Sequence, residues 1–154
     1  MNAQPGQYSE QDEDLAACQP TQLVKAAGVA CMLTGLFTAL QSVQLLGFTL
    51  SGVVMLVPFV MLILGVAAVA VGFYVMRIRG WASAAGTGLA GFVVLFQSAW
   101  IVFGLAHGFV SLVGFGVPPL ALAATVLCGL AIPPAFRADL ARRRLAADGL
   151  STGM

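Results

Sequence analysis

Between Asp14 and Asp139 the chain has no aspartate or glutamate. The whole sequence holds one histidine, three cysteines and one lysine, and charged residues make up 8% of it. Each scarcity removes a class of chemistry. Proton- or sodium-coupled transporters depend on an acid within the membrane, so a self-contained coupled antiporter is not expected. Without an acid no Ser/His/acid triad can form in the apolar part of the chain. One histidine cannot supply two axial haem ligands within one chain. Cys18, Cys31 and Cys128 make no Cys-x-x-Cys pair for thiol exchange or metal. No Gly-rich phosphate loop follows a strand. The expectation is therefore a non-enzymatic protein with no cofactor, no metal site and no nucleic-acid partner.

What is present is oil-soluble. Hydrophobic residues are 60% of the 154 and the mean hydropathy is +0.97, which a water-soluble domain of this length could not carry. A bilayer interior offers no water to backbone groups, so the choice is helices or a closed barrel. The apolar runs here are continuous and do not alternate, which selects helices. A span needs about 20 residues at 1.5 Å rise each. Four such windows fit, at about 23–46, 53–76, 82–106 and 109–132. The expected fold is an all-α integral membrane four-helix bundle, built as two tandem helical hairpins across residues 21–132.

Charge orients it. Lys25, Arg77, Arg79, Arg137, Arg142, Arg143 and Arg144 all fall on one side of this topology, and the other two connections carry no basic residue. By the positive-inside rule both termini and the Arg77-Ile78-Arg79-Gly80-Trp81 connection are cytoplasmic. Tyr74 and Trp81 flank that connection as interfacial aromatics. Six arginines against one lysine, with abundant Ala and Gly, point to a GC-rich bacterial genome and so to the inner membrane.

Residues 1–20 read as a disordered acidic cytoplasmic tail through Glu10, Asp12, Glu13 and Asp14. The negative start is unlike a secretory signal. Leu15-Ala16-Ala17-Cys18 has the form of a lipobox, but its apolar run lies downstream and not upstream, so Cys18 reads as an ordinary juxtamembrane cysteine. Residues 133–154 read as a basic amphipathic cytoplasmic segment, opened by Pro133-Pro134 and lying at the inner headgroups. Its Arg142, Arg143 and Arg144, with Arg77 and Arg79, form the membrane-surface basic set, whose expected partner is anionic lipid headgroups. A plain solvated tail with a stop-transfer charge cluster is the rival reading of the same residues.

Inside the spans, Ala27, Cys31, Thr34, Thr38, Gln41 and Leu45 recur at alternating steps of four and three, one stripe turned toward other helices. Gly65, Ala68 and Gly72 do the same on the second span, and Ala82 to Gly88 open the third with an unusually small run. Cys31 and Cys128 read as small buried apolar residues. Pro58, Pro118 and Pro119 are expected to bend their helices, with a kink or a short unwound turn near Pro118.

Sliding the second half over the first by about 60 residues aligns Gly28 with Gly88, Ala30 with Ala90, Leu45 with Leu105 and Pro58 with Pro118. This suggests an internal duplication, the two copies sharing one orientation in the membrane.

The candidate functional residues are the sparse polar set of the outer half: Gln41, Gln44, Gln97, Ser98 and His107. Counted along each helix, Gln41 and Gln97 lie at similar depth, roughly 25 Å from the cytoplasmic ends. Their amides can brace helices against each other, or line a path for a neutral solute or ion opened at the proline bends. The leading expectation is a small tetraspan protein acting by association, as a subunit, organiser or assembly partner of a membrane complex or homo-oligomer. The alternative is an oligomeric channel or facilitator.

Overall fold

The computed structural model describes residues 15–16, 21–47, 56–77, 79–108 and 112–147. Those residues form four long helices: α1 (Gln22–Leu46), α2 (Leu56–Met76), α3 (Gly80–His107) and α4 (Leu112–Ala147). All four are long and apolar enough to cross a bilayer, and the chain is an integral membrane four-helix bundle. The acidic tail, apart from Leu15 and Ala16, lies outside the described residues, as do the tips of the two uncharged connections.

Helix ends follow ordinary capping. Thr21 starts α1, its Oγ1 accepting from Val24 N at 3.4 Å. Gly108 ends α3 in the left-handed region at φ 75°, where a side chain would be strained, and its N–H reaches the Gly104 carbonyl.

The bundle is inside-out by the standard of a soluble protein. Its buried seam is mostly small or polar, including Ala27, Cys31, Thr34, Gly65, Ala68, Gly86, Ala124 and Cys128. Its surface is Leu, Ile, Val and Phe, with Leu95 at 73% and Ile63 at 68% exposure. In lipid, large apolar side chains gain nothing by moving inward, so packing is decided by how closely backbones can approach. Every helix turns a four-three seam inward: 24, 27, 31, 34, 38, 41 and 45 on α1, and 58, 61, 65, 68, 72 and 75 on α2. This is the repeat of antiparallel coiled coils.

The α1–α2 pair shows what the glycines are for. Ser42 meets Pro58, Gly35 meets Gly65 and Gly28 meets Gly72, so a step of seven back along α1 matches a step of seven forward along α2. α3 and α4 pair likewise through Gly91 with Thr125, Thr87 with Gly129 and Gly80 with Phe136. α1 also packs along α4, α2 touches α3 less, and α1 and α3 face each other across the diagonal with few contacts.

Two expectations need correction. α4 does not stop at Pro133-Pro134: one helix of 36 residues runs through Pro118, Pro119, Pro133 and Pro134, with no unwound turn. Its buried seam continues without a phase break through Ala131, Ala135 and Ala138, so packing on neighbours outweighs the lost proline donors. At 1.5 Å per residue α4 is about 54 Å long against a hydrocarbon layer of about 30 Å, so its last turns continue the span outward, and Phe136 and Leu140 lie on its exposed side. The second correction concerns the repeat. An offset of 60 pairs Gly28, pressed against Gly72, with Gly88, which has nothing within 4 Å of an added Cβ, so these two positions are not equivalent. An offset of 56 for the first helix and 60 for the second carries the contact of Gly35 with Gly65 onto that of Gly91 with Thr125, and pairs Gln41 with Gln97.

Candidate functional site

The seam of α1 delivers Gln41 to the bundle interior, 2% exposed, and that of α3 delivers Gln97, fully buried. Gln97 Nε2 donates to Gln41 Oε1 at 2.8 Å across the diagonal. The second oxygen of the pair, Gln97 Oε1, is buried with no hydrogen-bond partner. A neutral amide pair on the axis of a lipid-embedded bundle fixes helix register at a modest gain, and the unmet oxygen carries a desolvation cost of about 1–3 kcal/mol.

The other expected polar residues do not join them. Gln44, three residues beyond Gln41, and Ser98, next to Gln97, are exposed. His107 is exposed at the end of α3, its ring 4.1 Å from that of Phe103 and its Nδ1 2.8 Å from the Phe103 carbonyl oxygen. Phe103 also stacks with Trp100 at 5.4 Å, which makes an aromatic ladder along the last turns of that helix.

Two polar groups near the axis had not been singled out. Ser42 Oγ donates to the Pro58 carbonyl at 2.6 Å, tying α1 to α2 one residue from Gln41. The signal was available, since Ser42 continues the step of seven from Gly28 and Gly35. Ser83, at the opposite end of α3, is fully buried with its hydroxyl unpartnered. Nothing in its sequence context distinguished it from the small run around it. Pro58 is itself buried, three residues into α2 as described. In the described helix it falls in the first turn, where a missing N–H breaks no helical bond.

The cysteines meet as well. Cys31 and Cys128 are buried neighbours on α1 and α4. Cys31 Sγ donates to the Ala68 carbonyl at 3.4 Å, and Cys128 Sγ approaches that of Ala27 at 3.7 Å. Both sit in a core cluster made mostly of alanine and valine, where a thiol is a small apolar group. Among the described residues no group of three or more His, Cys, Asp or Glu could hold a metal ion.

The basic end is built differently. The Arg77 guanidinium lies over the Phe73 ring, 4.5 Å from its centroid, and that of Arg79 over Tyr74 at 5.7 Å. Tyr74 and Trp81 approach at 5.6 Å. Arg142 Nη1 reaches from α4 to the Arg77 carbonyl at 3.2 Å. Arg143 and Arg144 are exposed. Comparison with family models, with curated proteins and with solved structures finds no match to this chain.

Proposed function

We propose that this is a non-enzymatic tetraspan protein that works by association, as a homo-oligomer or as a subunit or organiser of a membrane complex. We place it in a bacterial inner membrane with both termini and the α2–α3 connection on the cytoplasmic side, because every Lys and Arg gathers at that end. One observation carries the association reading. The glycines of α1 and α2 are consumed inside the bundle, whereas α3 keeps small residues on its outward face: Ala84 and Gly88 are exposed, and a Cβ on Gly88 would meet nothing within 4 Å. Ser98, also exposed, sets a hydroxyl on the same side. Against lipid a glycine contributes no packing and costs about 1 kcal/mol of helix propensity, while against another helix it permits close approach. Native mass spectrometry in mild detergent, with disulfide trapping through Gly88→Cys, tests this. Association that Gly88→Ile weakens supports the reading, and a strictly monomeric chain indifferent to that change overturns it.

A second reading, a facilitator for a small neutral solute, has the unpartnered Gln97 Oε1 in its favour, because a buried acceptor on the axis is what a passing donor would use. Liposome flux lost in both Gln41→Leu and Gln97→Leu would favour it, and flux unchanged by both would remove the amides from any path.

A further inference from the structure

Phe73 and Tyr74 are adjacent on the outward side of α2, with ring centroids 6.2 Å apart, and each carries a guanidinium on its face. Both rings are exposed, so Arg77 and Arg79 are held beside the lipid, within about a turn of the end of the span, and are not extended into water. Stacking uses the face of a guanidinium and leaves the N–H donors in its plane directed outward. Those donors match the paired oxygens of a phosphate group. Arg142 adds the third side by bonding the Arg77 carbonyl, which ties α4 to the connection across 65 residues of sequence. Asp139 is the only acid among the described residues here, against Arg77, Arg79, Arg137, Arg142, Arg143 and Arg144.

We propose that Arg77 and Arg79, fixed by Phe73 and Tyr74 and braced by Arg142, form a built site for the phosphodiester of an anionic phospholipid. The site rests on the reading that this end of the bundle lies in the headgroup layer. Diffuse attraction would treat all the arginines alike, each worth about a fivefold change in affinity. A built site does not: lysine keeps the charge but loses both the planar fork and the stacking surface.

The test uses the full-length chain carrying Trp100→Phe, which leaves Trp81, beside Tyr74, as the sole indole. The protein is reconstituted into phosphatidylcholine vesicles containing brominated phosphatidylglycerol or brominated phosphatidylcholine, and Trp81 quenching gives the relative affinity for each. The site predicts a preference for the anionic lipid of about fivefold or more. That preference should fall to near unity in Arg77→Lys with Arg79→Lys, and persist in Arg143→Lys with Arg144→Lys. A double-lysine variant with the full preference, or equal loss from the Arg143 and Arg144 changes, overturns the site. Helicity and elution volume matching the parent show that a loss is not misfolding. Added inorganic phosphate, with ionic strength matched by chloride, should leave the quenching unchanged, and displacement would overturn the lipid in favour of free phosphate. Quenching by neither brominated lipid would overturn the headgroup placement itself, whereas equal quenching by both overturns only the site.

Discussion

Gly35 and Gly65 pass each other so closely that a methyl group on Gly65 would lie 2.7 Å from the Gly35 carbonyl oxygen. Neither backbone can yield alone, because Gly28 and Gly72 make the same contact two turns along, again at 2.7 Å for a methyl on Gly72. Gly65→Ala is therefore expected to destabilise the bundle by about 1–3 kcal/mol through overpacking. Gly88→Ala, whose methyl meets nothing, should be neutral or slightly stabilising in the isolated chain. Unfolding in mixed micelles against SDS separates the two. Equal effects would mean that α1 and α2 do not pack in this register.

The amide pair predicts non-additivity. Gln41→Leu strands a buried Gln97 donor, and Gln97→Leu strands the Gln41 oxygen while removing an oxygen that had no partner. The first change should cost more than the second, and the double variant less than the two combined. The coupling should be near the 0.6 kcal/mol typical of hydrogen bonds between membrane helices and no more than about 2. Strict additivity would separate the two side chains. Ser42→Ala, which removes the 2.6 Å bond to Pro58, should cost about 0.5–1.5 kcal/mol by the same assay.

The four spans were legible because an apolar run measures the hydrocarbon layer directly, and depth along a helix follows from residue count. Gln41 and Gln97 were matched that way. Which side chains turn inward was less legible, since neighbours such as Gln97 and Ser98 differ only by rotation about the helix. In lipid both the core and the surface are apolar, so hydrophobicity cannot rank them. The better indicator is size: on α1 and α2, Ser42, Gly28, Gly35, Gly65 and Gly72 are inward and Ile63 is outward, as is Leu95 on α3. The basic cluster was visible as charge, but the rings that hold Arg77 and Arg79 needed the geometry.

Cys31 and Cys128 should behave as inert core residues. Both are fully buried, so a labelling reagent has no open approach to either sulfur in the folded bundle. In the folded protein a Cys18→Ser variant should resist N-ethylmaleimide at neutral pH and take up two equivalents only after denaturation in SDS. Rapid labelling in mild detergent would show the α1–α4 contact to be open. Cys128→Val, which fills similar space, should be tolerated better than Cys128→Leu, because the thiol lies close enough to Gly86 that a methyl there would be 3.1 Å from the sulfur.

Pro133 and Pro134 distinguish one continuous helix from two. If a helix began at these residues, their missing N–H groups would fall in its first turn and cost nothing, and replacing them would leave stability unchanged. In the continuous α4 they lie in the interior and deprive the Gly129 and Leu130 carbonyls of their donors. Pro133→Ala and Pro134→Ala should then each raise stability, by up to about 3 kcal/mol where no other group has taken over those carbonyls. The change should also slow amide exchange across residues 129–140, because restored donors close the ladder between the span and its outward extension. Unchanged stability together with rapid exchange at Ala135 and Ala138 would instead mean that the last turns of α4 form a separate element. The inward face shared by Ala131, Ala135, Ala138 and Ala141 would then have no reason to stay in phase with Cys128.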